Sequence, residues 1–310
     1  MRDIFSEGLL YLDLLEIYGS TYAVAEVCGI AQSNVFRGAN ACAKLLNLGL
    51  AKDKQRGAYK VGRNLDVQRD LRRLNQKMRA REHGLIRLVG AEPLLAGEAL
   101  PTEQARIYQL LPDRWHRRDL SLQWLEQSLL DVVVTRASQV PSRLPWPPQV
   151  RRRDLFVPLV PFAVTELCEL HLLLVAKPNH PLIKSKSLAD ISCLPWFVDS
   201  NLPIDLIQEA HPSVSLRQSQ DPGLISEASL EQFQIDPGFL WLTDSLHFPS
   251  LKLEYPSLDL QAIQLELEVK DYLLAVTMPA LIMEPMHQSL IRNLRELAGR
   301  RAVAIGSPQG

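Results

Sequence analysis

Three kinds of chemistry have no foothold in this chain of 310 residues. It holds no glycine-rich phosphate loop, no nucleophile elbow and no H-E-x-x-H pair, so nothing asks for an enzyme and no cofactor is implied. Its four cysteines, Cys28, Cys42, Cys168 and Cys193, lack metal-site spacing, so no metal is expected. No apolar run reaches the roughly 18 residues of a membrane span, and Asp3 and Glu7 stand where a signal peptide would be apolar. A reducing cytoplasm is the expected compartment, with no membrane partner. Net charge is also scarce, at −1.

That balance hides a division. Residues 1–90 carry 15 Lys+Arg and 9 Asp+Glu, a net of +6, which leaves −7 for the remainder. A basic head on an acidic body suits a phosphate-binding module fused to a soluble sensor; chance asymmetry is the alternative. The length suits two or three compact units.

The most informative stretch is residues 19–46, which reads as two short helices joined by a tight turn. Ser20 can cap the first helix, and Gly29 suits its stop, where positive φ is often needed. Ala23, Val24, Val27 and Cys28 give the first helix an apolar face. Val35, Ala39, Cys42 and Leu46 recur at four, three and four residues and make the buried stripe of the second. Gln32, Ser33, Asn34, Phe36, Arg37, Asn40 and Lys44 remain for a polar, cationic outer face. Such a helix can enter the major groove of double-stranded DNA, where Arg suits guanine and Gln or Asn suits adenine. A pair of packed helices with a solvated face gives the same periodicity. Ahead of it, residues 6–18 form an amphipathic helix with Leu9, Leu10, Leu14 and Ile17 inward. Behind it, two short extended pieces flank a tip with Lys52, Lys54 and Arg56, a wing able to reach sugar–phosphate or a solvated loop.

Residues 63–83 place Val67, Leu71, Leu74 and Met78 at spacings of four, three and four, an a/d seam suited to pairing with its own copy. Arg69, Arg72, Arg73, Lys77, Arg79 and Arg81 crowd the other positions. The competing arrangement packs the stripe on the chain's own head.

The head resembles that of LysR-type transcriptional regulators. The resemblance is carried by Gly19-Ser20, Val24-Ala25-Glu26, Ile30-Ala31-Gln32, Val35-Phe36-Arg37 and Leu46. Ala31 and Phe36 stand where that family usually has Ser, and Ser33 where it often has Pro. Gly38 is unusual inside a helix, costing about 1 kcal/mol relative to Ala. From Ile86 onward, short apolar strands alternate with helices, which indicates an α/β sheet. Leu88 to Gly90, Leu130 to Val133 and Leu172 to Leu182 resemble strand motifs of the same family's effector-binding body.

The resemblance implies an α+β and α/β multidomain chain. Its expected parts are a winged helix-turn-helix DNA-binding domain at 1–61, a dimerising linker helix at 62–84 and a two-lobed, periplasmic-binding-protein-like α/β effector domain at 85–299, before a tail at 300–310. The first lobe covers about 85–168 and 260–299, the second about 169–259. The resemblance places a small-molecule effector, anionic if Arg136 holds it, among Ala91, Glu92, Arg136, Ser138, Asp199, Ser200 and Asn201. The alternative for Arg136 is a surface side chain paired with solvent. The expected function is a homodimeric or homotetrameric, sequence-specific DNA-binding transcriptional regulator. The alternative is a small-molecule-binding or assembly protein with a non-DNA-binding head.

Overall fold

A computed structural model describes residues 6–52, 59–83, 86–90, 118–139, 162–178, 240–263 and 270–306. It adds short pieces at 94, 108–110, 157–159, 180, 196–198, 202, 207–209, 211–212 and 216–218. The head is three helices, α1 (Ser6–Tyr18), α2 (Thr21–Cys28) and α3 (Gln32–Leu45), followed by an antiparallel ribbon of β1 (Leu50–Lys52) and β2 (Tyr59–Val61). Ser20 caps α2, its hydroxyl accepting from the amides of Tyr22 and Ala23, and Gly29 ends it at φ 62°. Val35, Ala39 and Cys42 are buried as their spacing predicts. Val27 differs: α2 turns Thr21, Val24 and Ala25 inward and leaves Val27 exposed.

Gly38 is explained by a crossing. A Cβ on Gly38 would meet the Tyr11 ring at 2.7 Å, and one on Gly8 would meet Cys42 Cβ at 2.7 Å and the Gly38 carbonyl oxygen at 3.0 Å. The two glycines let α1 and α3 touch at backbone distance, an approach no larger residue permits. The helix-propensity cost of Gly38 is offset by this packing.

The next helix, α4 (Leu65–Met78), is turned inside out. Gln68, Arg72 and Gln76, four residues apart, form its buried face. Val67, Leu74 and Met78 are 40%, 57% and 52% exposed, and Leu71 alone of the four packs partly on the core. The apolar stripe therefore does not settle on the chain's own head.

The polar stripe faces a chain of ion pairs. Arg72 donates to Asp13 (2.7 Å) and Glu16 (2.7 Å) on α1, and Arg87 donates to the other Asp13 oxygen (2.9 Å) and to the Leu129 carbonyl (3.2 Å). Gln76 donates to the Leu130 carbonyl (2.7 Å), while Arg79 grips both Asp131 oxygens (3.0 and 2.8 Å). Burial would raise the pKa of Asp13, but Arg72 and Arg87 outweigh it and hold the carboxyl below its usual range. Arg72 and Arg79, counted in the sequence as part of a basic surface, are spent here on acids of the same chain.

The body is a mixed sheet. Its strands are β3 (Ile86–Val89), β4 (Tyr108–Leu110), β5 (Val132–Arg136), β6 (Val157–Leu159), β7 (Phe162–Ala176), β8 (Trp196–Val198), β9 (Leu216–Gln218), β10 (Leu240–Asp244), β11 (Gln261–Ala262) and β12 (Lys270–Thr277). They lie in the order β4-β3-β5-β12-β7-β10-β8-β9, with β6 and β11 also on β7. Helix α5 (Arg118–Glu126) precedes β5, α6 (Phe248–Glu254) follows β10, and α7 (Pro285–Gly306) closes the chain.

Residue 168, where the first lobe is expected to end, lies inside β7, which is one continuous strand. Ala163 to His171 pair with β12 in the first lobe, and Leu172 to Val175 pair with β10 in the second. Gln261 and Ala262 pair with the C-terminal end of β7. One buried apolar cluster runs from Leu9, Leu12, Val24 and Val35 in the head to Val89, Leu125, Leu129 and Val276 in the first lobe. Separate clusters serve α7 against the first lobe and α6 against the second.

Removing the acid at the centre of the ion-pair chain leaves two buried guanidinium groups undercompensated. Asp13→Asn is expected to cost about 3–5 kcal/mol, read as a lowered denaturation midpoint. Exposed Arg73→Ala serves as the control and should leave the midpoint unchanged.

Candidate nucleic-acid interface and interlobe cleft

Helix α3 contains no acidic residue. Ser33, Phe36, Arg37 and Lys44 are exposed, while Gln32, Asn34 and Asn40 are half-buried at the margins. Arg37 is held along the outer face: its Nη2 donates to Asn34 Oδ1 (2.7 Å) and its Nε to the Ser33 carbonyl (3.3 Å). Ala31 offers no side-chain cap to α3. Instead Gln32 Nε2 donates to Thr21 Oγ1 (2.7 Å), which ties the start of α3 to the start of α2. The structure thus brings Gln32, Ser33, Asn34, Phe36, Arg37, Asn40 and Lys44 onto one helix, with the first five gathered at its N-terminal half.

In the ribbon, Lys52 is exposed and its Nζ lies 5.9 Å from the Tyr59 ring centre. Lys54 and Arg56 lie outside the described residues. Lys60 and Arg63, both exposed, extend the cationic surface beyond the expected tip. The available signal was simply two more basic residues on the far side of the ribbon.

Of the expected cleft residues, Ala91, Glu92, Asp199, Ser200 and Asn201 lie outside the described residues. Arg136 and Ser138 come together at the end of β5, but both face acids of their own chain. Arg136 is buried and ion-paired with Asp244, at the end of β10 in the second lobe. Its Nη1 lies 4.0 Å from Asp271 on β12, and its Nη2 lies 2.9 Å from His247 Nδ1. Ser138 donates to Asp271 through its amide (3.1 Å) and hydroxyl (2.6 Å). Asp244 also accepts from the amides of Leu246 (2.7 Å) and His247 (2.9 Å), which fixes the start of α6.

Arg136 is therefore not a solvent-paired surface side chain: it is buried and paired with Asp244. Its charge is matched within the chain, across the two lobes. Sequence could not show this, because the partner lies 108 residues away. Burial would raise the Asp244 pKa, but Arg136 and His247 outweigh it and hold the carboxyl far below its ordinary range. Nearby, burial and the Asp244 and Glu166 carboxylates push the Cys168 thiol up to about 12, so it stays protonated.

A three-helix head with a two-stranded ribbon, an intervening helix and a two-lobed α/β body define an architectural class. Among models of protein families none matches this chain, and no curated protein does. Solved structures do. The probable transcriptional regulator PA0477 from Pseudomonas aeruginosa superposes with a TM-score of 0.55 at 14% identity, over 93% of this chain and 95% of that one. A full-length OxyR variant from the same organism gives 0.54 at 13%, over 96% and 94%. A Corynebacterium glutamicum OxyR mutant bound to H2O2 gives 0.52 at 12%, over 99% and 96%. The chain has the fold of LysR-family transcriptional regulators over most of its length. Among the described residues no helix is long and apolar enough to cross a membrane.

The interlobe pair has a pH signature. The folded-state pKa of Asp244 is depressed, so its contribution is present above the unfolded value of about 3.9 and is lost as pH falls toward the folded one. Wild-type stability should therefore drop on acidification below about pH 4 more steeply than that of Asp244→Asn. Urea midpoints measured across that window check it.

Proposed function

We propose that this chain is a LysR-type transcriptional regulator. Its head is read as a winged helix-turn-helix spanning 1–61, and α3 is the helix that enters the major groove. One observation carries this: an acid-free helix exposing Ser33, Phe36, Arg37 and Lys44 stands on a fold shared with transcriptional regulators along nearly the whole chain. Gln32, Ser33 and Arg37 supply the groups that meet base edges. Lys44, Lys52, Lys54, Arg56, Lys60 and Arg63 meet phosphates.

The helix at 62–84 is proposed to pair with a second copy of the chain. Its seam of Val67, Leu74 and Met78 is already exposed, and its polar stripe is occupied internally. A dimer sets two heads over two half-sites, which multiplies the weak affinity of one.

The body at 85–299 is proposed to sense a small molecule between its lobes, near Ala91, Glu92, Ser138, Asp199, Ser200 and Asn201. An anion meeting Arg136 there competes with the Asp244 carboxylate already paired with it. Such a ligand shifts the lobe angle only if it binds the two arrangements with different affinity.

The test is salt-dependent binding to the protein's own upstream DNA and to random DNA. Wild type is expected to prefer its own DNA. Arg37→Ala is expected to lose that preference, by about 10- to 100-fold if the fork reads one guanine, while retaining weak, salt-sensitive binding. No binding to either DNA at low salt rejects the regulator in favour of an assembly or ligand-binding protein. Separately, Leu74→Asp is expected to shift sedimentation from dimer toward monomer; an unchanged oligomer removes the seam from the interface.

A further inference from the structure

Phe36 is the one member of the α3 face that hydrogen bonding and charge leave unexplained. It lies three residues after Ser33 and four before Asn40, at the middle of the exposed side. It is 44% exposed, while its neighbour Val35 is fully buried with Ala39 and Cys42. The head core is closed by those side chains, and the Phe36 ring is not among them. An apolar ring is thus held out in the middle of a polar, cationic surface.

The major groove offers such a ring few good neighbours. Base edges there present nitrogen and oxygen donors and acceptors, and a single apolar group, the C5 methyl of thymine. A ring pressed against a polar edge strips water from groups it cannot satisfy. Against the methyl, both surfaces leave water together. Arg37 restricts the register further. Its guanidinium is bonded back to Asn34 Oδ1 and the Ser33 carbonyl on the same exposed side of the helix, and Arg37 follows Phe36 directly in the chain, so its donors are offered to a base neighbouring the one under Phe36.

Resting on the DNA-binding reading above, we infer that Phe36 reads the thymine C5 methyl in the major groove. The target half-site carries a thymine under Phe36, adjacent to the acceptor-rich base met by Arg37. Phe36 sets sequence preference through an apolar contact and adds nothing to phosphate binding.

The experiment begins with full-length protein and a random-sequence duplex pool, from which bound sequences are selected. A selected duplex is then made with deoxyuridine in place of thymidine at each position in turn. That change deletes one methyl and keeps every hydrogen-bonding group. Wild type is expected to lose about fourfold in affinity at one thymine of each half-site, the value of one buried carbon group. Phe36→Ala should bind thymine and uracil versions of that site equally, with an unchanged salt slope and an unchanged melting temperature. Phe36→Leu, which keeps an apolar side chain, should retain part of the discrimination. If wild type selects a sequence but no single methyl matters, or if Phe36→Ala keeps the methyl preference, the inference about Phe36 is wrong and the DNA-binding reading stands. If no sequence is enriched and no duplex binds at low salt, the DNA-binding reading itself fails and takes this inference with it.

Discussion

Asp13 sits without exposed surface between two guanidinium groups, Arg72 at 2.7 Å and Arg87 at 2.9 Å. The three residues come from the first helix of the head, the connecting helix and the first strand of the body. Taking a carboxylate and two guanidinium groups out of water costs several kcal/mol per ion, which only close, multiply bonded geometry can recover. Here Glu16 and Asp131 complete the set, and the planar fork of arginine lets each cation meet two acceptors at once. The apolar cluster shared by head and first lobe would tolerate small slides of one against the other. Directional bonds to Asp13 and Asp131 do not, so they fix the angle at which the head is carried.

The same network decides which way α4 faces. With Gln68, Arg72 and Gln76 turned in, the apolar positions have only the outside left. An amphipathic helix ordinarily buries its apolar side for about 25 cal/mol per Å². This one forgoes that within the chain and leaves Val67, Leu74 and Met78 exposed.

Much of this was legible locally. Ser20 and Gly29 marked the ends of α2, and the spacing of Val35, Ala39 and Cys42 gave the buried side of α3, because caps and periodicity act within one or two turns. What stayed hidden acts across the chain. Gly38 reads as a weak helix residue until Tyr11 is placed against it. Arg72 reads as one more cation of a basic head until Asp13, 59 residues away, is brought alongside. Arg136 reads as a cation without an internal partner until Asp244, 108 residues on, is brought against it. In each case the local chemistry was visible, and the partner that assigns its role was set by tertiary folding. The long strand β7 was half visible: the motif beginning at Leu172 announced its C-terminal end, whereas the residues before it join through pairing with β12 and β6.

That strand has a mechanical consequence. Fifteen residues in extended form span about 50 Å, and both lobes are hydrogen-bonded to this one length of backbone. Strands resist stretching and sharp folding but twist readily, each carrying a right-handed coil whose pitch varies with its surroundings. The lobes are thus mounted on a common torsion bar instead of a loose hinge. Reorienting one against the other means winding or unwinding β7 near His171 and Leu172, where its partner changes from β12 to β10. A few degrees of added twist at each peptide accumulate into a rotation of one lobe about the strand axis. Torsion along β7 is thus carried from the part paired with β12 to the part paired with β10.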